Sequence, residues 1–408
     1  MNSKVLAAAT GLLLAATSCG TGGKTDNNGG IVTTSGEMKK VAERVALPGG
    51  DSLIVVRLTD TPDPVVLRAS DLMDDIRLIR LDNSTEDALV GESQIWTSGK
   101  RLMIYTGDAI KQFDMDGKYL GVIAHKGGGP GEFVIAPYDL YADEDAGRIY
   151  MLTYSANSIQ TYDTEGNYLG DIPLAYPAPK GSVRADTKNR RLNITALRFQ
   201  DGNEPVLAWE QDFDGNVISS FSRPDLTVVP DFSNEIRLGL NGDGNYTYSL
   251  FNVESPDDTL YSIVDGKFRP ELTVDYADKT PMHSYYSFPR FYAVSTYGAP
   301  EATDMPGTYI IPSNQPLVID RTTLYGAPAS IMLDLIGPVV NDNGWQYQQT
   351  PDYFIINIEP ATMAYTIDET VPSDLEYATE EDYARMREFR ESINPEDNNY
   401  IFIGRWKK

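Results

Sequence analysis

The chain has 408 residues, 41% of them hydrophobic, and a formal net charge of −25 at neutral pH. An acidic balance this strong argues against nucleic acid or an anionic lipid surface as partner, since both call for a basic patch. A single cysteine rules out an intramolecular disulfide and a Cys-based zinc site, so stability must come from packing.

Residues 1–18 read as a cleaved export signal. Lys4 supplies its positive end, and the apolar run 5–16 falls short of the roughly 20 residues of a spanning helix. Ala16, Thr17 and Ser18 lead into Cys19, an order that resembles the lipobox of bacterial lipoproteins and predicts lipidation of Cys19. An ordinary signal peptide followed by a structural cysteine is the alternative. Residues 19–40 then form a flexible tether, because 20–35 are Gly, Thr, Asn and Asp with almost nothing apolar to bury. The membrane is therefore expected as a partner through lipid alone. Gly22-Gly23-Lys24-Thr25 is not a phosphate loop, since Ser18 stands where that motif needs glycine.

Residues 41–408 are expected to form one β-propeller, with core blades from about residue 65. Segment 113–121 (FDMDGKYLG) aligns without a gap on 162–170 (YDTEGNYLG), which places Gly117 and Gly166 49 residues apart. Gly215 follows after another 49 and Gly266 after 51. Each copy reads as a hairpin whose acidic-Gly turn needs positive φ. Further strands are predicted at 101–105, 148–153, 196–199 and 246–251, giving about four short strands per period, the content of a propeller blade. A β-sandwich pair is the rival. The period alone fits seven regular blades as well as six with insertions.

Later strands are predicted at 309–311, 316–320, 331–335, 353–358 and 363–367. Apolar segments 72–80 and 400–403 can share a blade and close the ring through the termini. Between them the box Thr379-x-x-Asp382 caps a helix over about 380–392, with Tyr383, Met386, Phe389 and Ile393 on one face.

The most distinctive segment is Gly127-Gly128-Gly129-Pro130-Gly131-Glu132. Its backbone N–H groups could cradle an anion, but the favoured role is a crossing between blades. There Gly129, Pro130 and Gly131 shape the turn and Glu132 anchors it through backbone hydrogen bonds. Segment 123–133 (IAHKGGGPGEF), with DLMDDIRLIRLDNS before it, the two hairpins around it and the ending NPEDNNYIFIGRWKK, resembles the six-bladed β-propeller lipoproteins of Bacteroides and relatives. The likeness departs at the end, where Asn399 precedes Tyr400 and the usual phrase has Asn-Pro. It implies six four-stranded blades and a place at the bacterial outer membrane, with the periplasmic and surface faces both open. It implies no catalytic residues; some relatives are linked to glycan uptake.

Chemistry-bearing patterns are sparse. His125 and His283 are the only histidines, there is no Gly-x-Ser-x-Gly elbow, and neither Asp74-Asp75 nor Asp257-Asp258 has the spacing of a glycosidic acid/base pair. No metal site or cofactor is expected. Segment 241–245 (NGDGN) alternates oxygen ligands as a calcium loop would, but Tyr246 stands where an EF-hand needs glycine, so a polar turn is preferred. The aromatic cluster 285–292 offers Tyr285, Tyr286 and Tyr292 as a platform, with Arg290 to meet a carboxylate or sulfate. The expected function is thus a non-catalytic envelope binding or scaffolding lipoprotein for a glycan, peptide or envelope protein. The alternative is a carbohydrate- or peptide-cleaving hydrolase or lyase that uses carboxylates in the propeller funnel.

Overall fold

The computed structural model describes residues 30–58, 62–91, 93–231, 234–240, 246–251, 258–264, 267–276, 280–303, 309–341, 352–369, 375 and 377–408. Cys19, most of the expected tether, the calcium-loop candidate 241–245, Asp257 and Gly266 lie outside them.

Four-stranded antiparallel meanders form on the 49-residue period. Blade 1 comprises Gln94–Thr97, Arg101–Tyr105, Ala109–Asp114 and Tyr119–His125. Blade 2 comprises Pro137–Asp143, Arg148–Thr153, Ala156–Asp163 and Tyr168–Ala178. Blade 3 comprises Gly181–Asp186, Arg191–Ala196, Val206–Asp212 and Val217–Ser222. Blade 4 comprises Glu235–Leu240, Tyr246–Phe251, Leu260–Val264 and Lys267–Asp275. Blade 5 comprises Met282–Ser287, Phe291–Tyr297, Leu317–Asp320 and Tyr325–Met332. Strands pair in chain order within each blade, and the first strands of adjacent blades adjoin, so they line the axis of a ring.

Central blade strands are buried on both faces because each blade packs between two others. In Arg148–Thr153, Ile149 and Met151 face blade 1 while Tyr150 and Leu152 face blade 3, as the two-residue period of a strand requires. Six buried apolar clusters follow, one at each junction between neighbouring blades. They decide for six blades, which the period left open.

Blade 6 joins the chain ends. Its three described strands run Tyr353–Ile358, Tyr400–Trp406 and Met73–Arg80, with Ile401 opposite Ile79 and Phe402 opposite Leu78. The acidic-Gly turns then lock one blade to the previous one. Gly117 and Gly166 have φ of 86° and 89°, and a Cβ on either would stand 2.1 Å from the Arg80 carbonyl or 2.3 Å from that of Val122, both on the outermost strand of the preceding blade. Gly215 keeps the same sign of φ. The carboxylates of Asp114, Asp163 and Asp212 each accept two backbone N–H bonds that close these turns.

The N-terminal segment forms a strap outside the ring. Lys39–Lys40 pairs with the fourth strand of blade 5, and Val65–Arg68 runs parallel to that same strand. Between them the hairpin Ala42–Ala46 and Ser52–Arg57 extends blade 4, with Ile54 level with Leu272 on the outer strand. Without it that strand would expose unpaired backbone groups. The hairpin therefore adds β-structure ahead of the core blades, within the expected 41–408 domain. The described end of the tether is also bound, with Ile31 buried and Thr34 N–H donating to the Val66 carbonyl at 2.9 Å.

Three strand assignments shift. The 363–367 segment lies in a helix, Pro360–Glu369, because Met363, Ala364 and Ile367 share a buried helical face. The predicted 196–199 strand is the end of Arg191–Ala196, since Leu197 N–H turns to the Lys180 carbonyl. The 331–335 strand ends at Met332, where Leu333 N–H turns to Val339. Helix Glu380–Ser392 carries the expected capping box, and Tyr383, Met386 and Ile393 are buried with Phe389 packed beside them.

Candidate functional site

A cavity of about 250 Å³ opens between blades 4 and 5 under the N-terminal hairpin. The hairpin contributes Arg44, Asp51 and Ser52, blade 4 contributes Ser262, Arg269, Pro270 and Glu271, and blade 5 contributes Tyr292 and Arg321. Two turns place these groups. Leu47 N–H bonds to the Asp51 carbonyl at 2.8 Å around Pro48-Gly49-Gly50, which aims Asp51 and Ser52 at the ring. In blade 5 the Asp320 carboxylate accepts the N–H groups of Thr322 and Thr323, which holds Arg321 at the tip.

The floor is a fixed network. Arg321 Nη2 donates to Glu271 Oε1 at 2.5 Å, and the Tyr292 hydroxyl donates to the same oxygen at 3.0 Å. The Arg321 guanidinium also lies 4.3 Å over the Tyr292 ring and bonds to Ser287 Oγ and the Phe288 carbonyl. Burial, then Glu271, push the Tyr292 hydroxyl above its ordinary value, while Arg321 and Arg44 oppose the shift. Glu271 Oε2 is buried and has no hydrogen-bond partner among the described residues. Nearer solvent, Arg44 Nη1 reaches Ser52 Oγ at 3.3 Å.

A second polar network ties the inner strands. Lys180, 1% exposed, donates from Nζ to the Asn234 carbonyl at 2.8 Å and to Glu235 Oε1, while the Tyr138 hydroxyl donates to Glu235 Oε2 at 2.7 Å. Tyr138, Lys180 and Glu235 stand at the first strands of blades 2, 3 and 4. Alongside, Arg184 Nη1 and Val183 N–H both bond to Asp139 Oδ2 at 2.9 Å. Burial raises the Asp139 carboxyl, and Arg184 opposes it. Thr187 Oγ1 donates to Asp143 at 2.5 Å.

The aromatic cluster does not form one platform. Tyr285 and Tyr286 point to opposite sides of their strand and are 1% and 8% exposed, packed at the 4/5 and 5/6 junctions respectively. Arg290 sits on the side toward blade 6, where its charge acts on Asp71. Of the four residues, only Tyr292 reaches the cavity. His283 is buried and stacked on Tyr285 at 4.5 Å, and burial lowers its pKa. His125 is exposed. The glycine-rich crossing joins blades 1 and 2, and its Gly129 N–H is taken by Glu132 Oε2 at 2.7 Å, the anchoring expected of Glu132. Among the described residues no cluster of His, Cys, Asp and Glu could hold a metal ion. The cavity escaped the sequence because its wall is the hairpin, which falls off the 49-residue period. Its signal was the turn Pro48-Gly49-Gly50 before the apolar run 53–56.

Residues 53–301 match the family described as Domain of unknown function (DUF4934), more than half of the chain. The chain belongs to this family. The DUF4934 match begins within the hairpin and runs through blade 4 into blade 5, so both polar networks fall largely inside it. Among solved structures, a Bacteroides fragilis protein whose name describes it as exported superposes with a TM-score of 0.56 at 14% identity, covering 87% of this chain and all of that one. A member of the DUF4221 family from Bacteroides vulgatus gives 0.44 at 13% identity, covering 68% of this chain and 94% of that one. Among curated proteins none matches the sequence.

Proposed function

We propose that this DUF4934 protein is a non-catalytic binding or scaffolding lipoprotein of the bacterial outer membrane, held by lipid on Cys19, that presents its ring to a glycan, peptide or envelope protein. The commitment of the inner-strand carboxylates carries this reading. Asp139 is bound to Arg184, Glu235 to Lys180 and Asp143 to Thr187, each on an adjoining blade. Such groups staple the ring, whereas general acid/base work needs a carboxyl within reach of a substrate proton. The fold shared with an exported Bacteroides fragilis protein agrees with the export signal at 1–18.

A glycan and peptide array probed with the processed protein tests the binding role, with product analysis on every hit. Retention without turnover is the expected result; released products would transfer the protein to the hydrolase class. For the anchor, Cys19→Ala should abolish lipid labelling and free the protein from the membrane fraction, and labelling that persists would refute the lipid assignment.

A further inference from the structure

We infer that the cavity beneath the N-terminal hairpin binds a small hydroxylated carboxylate of the sugar-acid class, about one ring in size; this rests on the binding role proposed above and names its ligand. The sign of charge is the first argument. In a chain with 59 acidic and 34 basic residues, this cavity gathers Arg44, Arg269 and Arg321 against only Asp51 and Glu271. Arg321 is committed to Glu271. Arg44 and Arg269 are exposed and take part in no ion pair among the described residues. Two open guanidiniums on neighbouring parts of one sheet, one from the hairpin and one from the blade 4 strand it extends, suit a planar carboxylate, which accepts their paired N–H bonds.

The remaining lining selects for hydroxyls. Asp51 offers an exposed acceptor, and Ser52 and Ser262 can each donate and accept. The two carboxylates also disfavour a compact dianion such as phosphate. At about 250 Å³ the cavity falls just below the ~300–1,000 Å³ of pockets for drug-sized ligands, which fits a single ring rather than a chain.

Isothermal titration of the processed protein with glucuronate, glucose and inorganic phosphate tests this. Glucuronate should bind saturably, with glucose at least about tenfold weaker. Arg44→Gln and Arg269→Gln should each weaken glucuronate at least about tenfold, the loss of one charge-assisted contact. Both side chains are exposed, so the melting temperature should hold. Phosphate binding as tight as glucuronate overturns the sugar-acid class, and unchanged affinity in both variants overturns the site. Array hits that survive the double variant, with no glucuronate binding, defeat this inference and leave the binding role standing; an empty array together with no glucuronate binding defeats both.

Discussion

The two terminal nitrogens of Arg68 donate to the two carboxylate oxygens of Asp382 at 3.0 and 2.8 Å, joining residues 314 apart in sequence. Asp382 also accepts the Thr379 N–H at 2.8 Å, so one carboxylate both caps helix Glu380–Ser392 and clasps the N-terminal strap. Its side chain is 1% exposed. Asp382→Ala would leave Arg68 and Arg385 without their shared partner, and breaking a buried pair from one side costs about 3–5 kcal/mol. Urea denaturation should show a loss of that size; a loss under about 1 kcal/mol would mean the clasp is ornamental.

The same carboxyl gives a pH signature. Arg68, foremost, holds Asp382 well below the usual carboxylate range, with Thr379 adding to the effect against the cost of burial. A depressed folded pKa gives stability that is complete above the unfolded value near ~4 and is lost as pH falls toward the folded one. The stability gap between wild type and Asp382→Asn should therefore be level from neutral pH to about 5 and shrink below about 4. Denaturant melts across that range check it, and a gap that widens on acidification contradicts the assignment.

Gly117 and Gly202 share a φ of 86° but differ in surroundings. A Cβ at 117 would collide with the Arg80 carbonyl at 2.1 Å, whereas at 202 nothing lies within 4 Å. Gly202→Ala should cost only the left-handed backbone penalty, about 1–2 kcal/mol. Gly117→Ala should add the displacement of a neighbouring blade, a further ~1–3 kcal/mol. Thermal melts of the two variants should separate clearly, and equal destabilisation would show that the blade contact yields freely.

Much of the ring was legible because its physics is local. The acidic-Gly turns at 117, 166 and 215 announce themselves through a backbone need that few residues meet, and the Thr379–Asp382 box fixed the last helix. Blade number was not legible from the period, since seven regular units and six with insertions fit the same length; the six junction clusters decided it. The hairpin 42–57 escaped because edge pairing is non-local: nothing in Ser52–Arg57 names Lys267–Asp275 as its neighbour. The tyrosines misled for a related reason. Two adjacent rings on a strand point to opposite faces, so Tyr285 and Tyr286 fill two different blade junctions.

Lys180 and Glu235 offer the sharpest test of whether the inner carboxylates are structural. The lysine is buried at 1% exposure between the Asn234 carbonyl, Glu235 and the Tyr154 ring, 5.6 Å away. Lys180→Met removes the charge and leaves Glu235, among the described residues, with the Tyr138 hydroxyl as its partner and no ion pair, at 23% exposure. A loss of about 3 kcal/mol is expected, near the low end for a broken buried pair because Glu235 keeps some solvent. Glu235→Gln should cost about as much, since it removes the Glu235 counter-charge from the better-buried partner. In the double variant the cost should be well below the sum, because apolar or neutral replacement of both ends removes the desolvation penalty along with the attraction. A double-mutant cycle by denaturant melts measures this coupling. Strict additivity would show that the two groups act independently, and the case for ring-stapling carboxylates would lose its strongest member.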